Sequence, residues 1–183
     1  MLNHPTRRLR ARALLTVAVL AFWSGPGLAH KAHVHGLARL DVSLQGRELS
    51  VALEMPLESL VGFERAPRNA LEREQVDKAL AQLRVPGVLR PDGAAQCTLR
   101  GVEIEVPPVL SQPAAAAVQA VEHADVQARW VFDCTRPQAL GTLVVGLFDA
   151  FARLQRIEVQ MALPSGQRKS LLRPSLRVLR LSS

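Results

Sequence analysis

Two neighbouring stretches in which apolar and polar residues alternate constrain the fold of this chain more than any other feature. The first has apolar side chains at Leu40, Val42 and Leu44. A polar turn at 45–47 separates it from the second, which has them at Leu49, Val51 and Leu53. Alternate side chains of an extended chain point to the same side. The pattern therefore predicts a β-hairpin with one buried face.

The same alternation recurs along the chain and predicts further strands at 97–106, 126–134, 143–145, 156–163 and 167–172, with a last short one near 176–181. One segment differs, because its apolar residues recur at helical spacing after Asn69, a typical N-cap. It predicts a helix over about 70–84 with an apolar stripe of Leu71, Val76, Leu80 and Leu83. Glu72 follows the N-cap by three residues, as in a capping box.

Short helical segments are predicted within 55–68, at 137–140 and at 147–151. The predicted fold class is therefore α+β: a single domain, mainly antiparallel β-sheet, with one clear helix and short helical segments. Trp130 is predicted to lie in its core.

Residues 1–29 have the pattern of a cleaved secretory signal peptide. Four arginines and no acidic residue precede an apolar run at 13–23, and small residues at Gly27 and Ala29 form a cleavage site. The run has eleven residues, whereas a membrane-spanning helix needs about 20. Cleavage after Ala29 predicts an exported domain of residues 30–183 with no stable membrane insertion; the alternative is an uncleaved anchor.

The charge of the chain gives little support to nucleic-acid binding. The sequence has 23 basic and 16 acidic residues, and its predicted leader holds four of the arginines, which leaves 19 against 16, or +3. Those basic residues are scattered among acids, and aromatic residues for base stacking are few. The sequence also lacks a phosphate-binding glycine loop, a nucleophile elbow and a metalloprotease motif, so it predicts no enzyme.

The two cysteines, Cys97 and Cys134, are predicted to form a disulfide bond. An even pair in an exported chain is typical of a disulfide framework. The alternatives are two free thiols or two thiolate metal ligands, although the chain has no closely spaced cysteine pair.

Three of the five histidines lie together at the start of the predicted mature chain: His30, His33 and His35. His33 and His35 have the spacing that puts two imidazoles on one side of an extended chain. They also share parity with the polar side of the first strand, so they are predicted to face solvent or a cleft. Imidazole suits zinc, copper and nickel. Two histidines fall short of an ordinary zinc site, so further ligands must come from elsewhere.

The chain also resembles a known family over nearly all of residues 30–183. The resemblance is carried by an ordered set of segments: Ala32-His33-Val34-His35-Gly36-Leu37-Ala38-Arg39-Leu40, then Pro56-Leu57, Leu60-Val61-Gly62-Phe63-Glu64 and Ala66-Pro67, then His123-Ala124-Asp125, and finally Gly146-Leu147-Phe148-Asp149-Ala150-Phe151 with Leu154-Gln155-Arg156-Ile157. This set is similar to the ZrgA-like family of bacterial periplasmic zinc-binding proteins.

The resemblance implies a periplasmic protein of zinc acquisition that helps deliver zinc to a dedicated uptake system. His33, His35 and His123 match family histidines, and we expect them to bind zinc with Asp125 as a fourth ligand or as an acceptor for a ligating histidine. Members usually carry a histidine-rich insertion, whereas the matching region here, 107–121, is rich in proline and alanine and has no histidine. High-capacity zinc buffering is therefore not expected from it.

Two other functions are compatible with the sequence. After cleavage, His30 would offer an amine and an imidazole that could hold Cu(II) together with His33 or His35. The next histidine after His30 is fourth in the chain, however, not third as in the usual amino-terminal copper site. The other alternative, from a different class, is a metal-free envelope module that binds a protein partner through its sheet.

Overall fold

The computed structural model describes residues 35–111 and 124–182 of the chain. These residues are mainly β-structure, in the following strands: β1 (Leu37–Gln45), β2 (Glu48–Pro56), β3 (Leu89–Pro91), β4 (Cys97–Glu105), β5 (Asp125–Cys134), β6 (Thr142–Val145), β7 (Arg156–Leu163), β8 (Gly166–Leu172) and β9 (Val178–Arg180). The helices are α1 (Leu57–Val61), α2 (Ala70–Gln82), α3 (Pro108–Ser111) and α4 (Leu147–Ala150). Of these, α2 is the one clear helix that the sequence predicts.

The strands form a six-stranded sheet, in the order β4-β5-β2-β1-β7-β8, and a three-stranded sheet, in the order β3-β6-β9. Neighbouring strands are antiparallel at every described pairing except that of β1 with β7, which is parallel. The mainly antiparallel architecture expected from the alternation is therefore present. The parallel pair joins strands far apart in sequence, which alternation alone does not reveal.

The predicted hairpin is β1 paired with β2, and it lies at the centre of the larger sheet. Leu40 pairs with Leu53, and Val42 pairs with Val51. These four side chains are all at most 2% exposed, whereas Asp41 between them is exposed. One face of the hairpin is thus buried, as the alternation predicts.

Among the strands that the structure describes, the sequence pattern misses one, which lies in the smaller sheet. We expect a turn at 91–93, but Leu89–Pro91 pairs with β6 as strand β3, and a 3₁₀ turn (Gly93–Ala95) follows it. A three-residue strand that ends in proline is too short to show alternation. Only pairing with β6 identifies it.

Helix α2 begins as its sequence predicts, but its apolar stripe is narrower than expected. The Asn69 side chain accepts a hydrogen bond from the Glu72 N–H at 2.9 Å, which is the N-cap contact. The prediction that Leu71 packs inward is wrong, because this side chain is 76% exposed. It lies in the first turn of α2, and of the four stripe residues only Val76 and the cap residue Leu83 are fully buried.

Trp130 joins α2 to the sheet and lies in the core, as its size predicts. The side chain is 1% exposed, and its indole Nε1–H donates to the Leu83 carbonyl at 3.0 Å. This bond satisfies both a buried indole N–H and a carbonyl at the carboxyl end of the helix.

The predicted disulfide bond between Cys97 and Cys134 is present. The two residues are paired across β4 and β5, at the first position of one strand and the last of the other. The alternatives of free thiols and thiolate ligands are therefore wrong. The bond joins the strands on either side of the segment 112–123, which lies outside the described residues. Within the described part of the chain, no helix is long and apolar enough to span a membrane.

Removal of the disulfide should lower stability substantially. The cysteines are separated by 37 residues, and a crosslink that closes a loop of this length contributes about 4 kcal/mol by restricting the unfolded chain. We expect a Cys97→Ser, Cys134→Ser double variant to lose about 3–4 kcal/mol of unfolding free energy in urea. Wild-type protein under reducing conditions is the control and should lose a similar amount. An unchanged urea midpoint in both would contradict this role.

Glu72 should titrate far below an ordinary glutamate. Its carboxylate accepts two hydrogen bonds from the Arg65 guanidinium, at 2.6 and 2.9 Å, and one from the Arg68 N–H at 2.7 Å. The Arg65 bonds and then the Arg68 bond lower the pKa of Glu72 to about 2. A depressed pKa in the folded state contributes stability above the unfolded value of 4.5, and this is lost as pH falls towards 2.

We expect the carboxyl chemical shift of Glu72 to change near pH 2 in an NMR titration, and to change at higher pH in an Arg65→Gln variant, which lacks the main partner. A wild-type transition near pH 4.5 would show that these bonds do not form in solution.

Candidate metal centre

The amino end of β1, helix α1 and the start of β5 meet at one corner of the six-stranded sheet. In the β1–β2 hairpin, Arg39 pairs with Glu54. Beyond this pair, the residues that precede β1 reach α1, where the Gly36 N–H donates to the Ser59 hydroxyl. On the other side of β2, Pro56 pairs with Asp125, and the Leu57 N–H donates to the Ala124 carbonyl at 2.7 Å. Sheet pairing thus gathers three distant stretches of sequence.

Gly36 forms the turn that carries His35 to this corner. Its φ is +75°, a left-handed value that favours glycine. Its N–H donates to the Ser59 hydroxyl at 3.1 Å, and its carbonyl accepts from the N–H groups of Gln155 and Arg156 at 2.8 and 3.0 Å. The turn also interrupts the extended chain before β1, so the parity of His35 with the polar side of β1 does not determine where the His35 side chain points. The hydrogen bonds made by Gly36 determine that direction instead.

Helix α1 is short but firmly held. It begins directly after Pro56, and Leu57, Ser59, Leu60 and Val61 are buried. It ends at Gly62, whose φ is +90° and whose N–H donates to the Glu58 carbonyl at 2.7 Å. The Arg153 guanidinium covers Gly62 so closely that an added Cβ would lie 2.8 Å from it. Glu58 is therefore the residue of this buried helix whose side chain reaches the edge of the corner.

The side chains of His35 and Glu58 meet there. The imidazole Nδ1 lies 3.2 Å from Glu58 Oε2. His35 is 72% exposed and Glu58 is 26% exposed, and Oε2 itself is closed off from solvent. Within the described part of the chain, no hydrogen bond reaches Oε2, so Nδ1 is the polar atom placed to compensate it. An open imidazole thus stands against a largely buried carboxylate.

The predicted site residues can be placed only in part. His30, His33 and His123 lie outside the described residues. His35 is exposed at the corner, and Asp125 is half-buried at the first position of β5. Across residues 35–111 and 124–182, no three His, Cys, Asp or Glu side chains come together in an arrangement that could hold a metal ion. The predicted set of three histidines with Asp125 stays a prediction.

Asp125 also lines an open cleft of about 480 Å³ on the sheet, next to this corner. The cleft has two further acids, Glu54 and Glu105, and Gln127 beside them. Glu54 is engaged with Arg39, whose guanidinium donates to it at 2.8 Å. Of the acids that line the cleft beside Asp125, Glu54 is thus already neutralised by an arginine.

Reasoning from the sequence missed Glu58. No local pattern links positions 35 and 58, because the pairing of β1 with β2 ends at Arg39 and Glu54. The apolar residues of the segment 55–68 predict packing and not a polar contact. Cys97 and Cys134 are not part of this corner, because their disulfide lies at the opposite end of β5 from Asp125.

Comparison with known proteins identifies a family for this chain. A family model described as "ZrgA family zinc uptake protein" matches residues 32–181. The match begins just before His33 and includes α1, both sheets and the disulfide. A search of curated proteins found no match.

Replacing Gly36 should distort the corner. A Cβ at this position would lie 2.9 Å from Gln155 Cγ and 3.0 Å from the Arg153 carbonyl, on a backbone with positive φ. We expect Gly36→Ala to lower the unfolding free energy by about 1–3 kcal/mol in urea. Gly46→Ala is the matched control, since Gly46 also has positive φ but no atom within 4 Å of an added Cβ. Equal losses in the two variants would show that the close packing at Gly36 does not matter.

Proposed function

Because the chain belongs to the ZrgA family of zinc uptake proteins, we propose that it binds zinc in the periplasm and helps deliver it to a zinc uptake system. The observation that carries this proposal is the corner where His35 stands open beside Glu58. Zinc is the cargo here, so the chain acts as a carrier and not as an enzyme. The resemblance in sequence and the family match both support that assignment.

The proposed ligands are His33, His35 and His123, with Asp125 as a fourth ligand or an acceptor and His30 nearby in sequence. Structural and catalytic zinc sites use three or four protein ligands. Chain connectivity supports the set, since His33 precedes His35 by two residues and His123 is bonded to Ala124. The Ala124 carbonyl accepts from the N–H of Leu57, the residue before Glu58.

Exposure of the site suits a carrier. A ligand that is 72% exposed can be approached by a donor group from an acceptor protein while zinc is still held. Structural zinc sites, in contrast, are closed by four ligands. The carrier would hand zinc on by exchanging ligands one at a time.

Two further observations support the periplasm as the compartment. The disulfide between Cys97 and Cys134 is typical of oxidising compartments such as the periplasm. The segment 1–29 carries the signal-peptide pattern, and the match to the family begins at residue 32, after it. Export with cleavage after Ala29 would leave the histidines at the amino end of the mature chain.

The proposal predicts that the amino-terminal histidines control zinc affinity. We expect untagged protein of residues 30–183 to bind zinc in a calorimetric titration. A His33→Ala, His35→Ala double variant should bind at least about tenfold more weakly, since ligands of one site act together. Gln45→Ala, at the other end of β1, is the control and should bind as the wild type does.

Three results would count against the proposal. Unchanged affinity in the double variant would place the zinc site elsewhere. A wild-type protein that takes up Cu(II) and no zinc in a competition titration would favour the copper alternative. Protein with no bound metal and no thermal shift on addition of zinc would favour the metal-free interaction module.

A further inference from the structure

We propose that Glu58 is a positioning residue that holds the His35 ring with its Nδ1–H donated to Oε2 and its Nε2 free as the zinc donor. The inference rests on the proposed zinc-binding role of His35 and extends it to a residue outside the predicted ligand set. It follows from three features of the corner: the facing atoms, the burial of the oxygen and the rigidity of the backbone on both sides.

The position of Glu58 Oε2 opposite His35 Nδ1 favours a proton on that ring nitrogen. A carboxylate oxygen is only an acceptor, and an unprotonated Nδ1 is also only an acceptor. Two acceptors 3.2 Å apart would repel each other, whereas a protonated Nδ1 donates to Oε2. In the neutral ring, a proton on Nδ1 leaves the lone pair on Nε2. A zinc ion can then bind His35 through Nε2.

Burial of Glu58 Oε2 favours this arrangement. The Oε2 atom is closed off from solvent, so water does not solvate it. A buried carboxylate oxygen without a donor is costly. Within the described part of the chain, His35 Nδ1 at 3.2 Å is the group placed to donate to Oε2, and the His35 side chain is otherwise largely exposed. One contact can therefore compensate Glu58 and leave the ring accessible to an ion.

The backbone on both sides of the contact is tied down. Next to His35, the Gly36 N–H donates to the hydroxyl of Ser59, which is 0% exposed. Next to Glu58, the Leu57 N–H donates to the Ala124 carbonyl, and the Glu58 carbonyl accepts from the Gly62 N–H. His35 and Gly36, which precede β1, thus contact the successive α1 residues Glu58 and Ser59. Glu58 can fix the direction of the ring because its own helix is fixed.

Carboxylates commonly play this role for metal-binding histidines. The hydrogen bond to the second ring nitrogen sets the tautomer and the ring direction, and losing it typically weakens metal binding by 10–100-fold. Asp125 is the residue that the sequence suggests for this role. For His35, the structure assigns this acceptor role to Glu58. Asp125 keeps its place in the proposed ligand set beside His123.

The first measurement determines the tautomer of the His35 ring in zinc-free protein. Long-range proton–nitrogen NMR at pH 8, where free imidazole is neutral, reports which ring nitrogen of His35 carries the proton. We expect the Nδ1–H form in wild-type protein and a shift towards the Nε2–H form in Glu58→Ala. Glu58→Gln keeps an acceptor oxygen without the charge and should restore the Nδ1–H form. Glu158→Ala, which removes an exposed carboxylate from β7, is the control and should not change the tautomer.

Zinc titration of the same variants completes the test. We expect Glu58→Ala to bind zinc about 10–100-fold more weakly, Glu58→Gln to recover part of that loss and Glu158→Ala to match the wild type. Glu58→Ala with wild-type tautomer and affinity, alongside a His35→Ala variant that binds poorly, would overturn the role of Glu58 and leave the zinc site standing. Absence of zinc binding by wild-type protein would instead overturn the proposed function itself.

Discussion

Cross-strand pairing between β1 and β2 sets both the core of the larger sheet and the position of the candidate metal centre. The pairing buries Leu40 and Val42 against their partners on the same face and exposes the residues between them. A slip of one residue would turn every one of these side chains to the opposite face. Beyond Arg39, the Gly36 turn and its hydrogen bond to Ser59 bring His35 to α1. Burial of α1 and the pairing of β1 with β2 therefore hold the two halves of the corner together.

At the corner, the buried helix α1 stands beside an exposed imidazole, that of His35. Ser59, Leu60 and Val61 anchor α1 in the core, and Gly36 lets the chain turn against them. The Glu58 carboxylate extends from this support, and the His35 imidazole covers its buried oxygen. A ring held on one side and open on the other can bind an ion without being enclosed by the fold. Such an arrangement suits the proposed role of accepting and releasing zinc.

The disulfide contributes to a different part of the fold. Cys97 and Cys134 join β4 to β5 at the end of β5 that lies away from Asp125. Their bond therefore stabilises the pairing of these strands without contacting the corner. Its presence excludes thiolate ligands, so the proposed centre must use nitrogen and oxygen donors. Such a donor set suits zinc or copper.

Alternation and helical spacing were sufficient to predict most of the strands, the helix α2 with its Asn69 cap, the buried Trp130 and the disulfide, because each depends on local periodicity or on residue type. The parallel pairing of β1 with β7, the strand Leu89–Pro91 and the exposure of Leu71 depend on neighbours distant in sequence, and local patterns do not contain them. For the candidate site, the sequence identified His35 by type and spacing. Only the tertiary structure put Glu58 beside it, because that contact arises when sheet pairing and the burial of α1 bring together two segments with no shared local pattern.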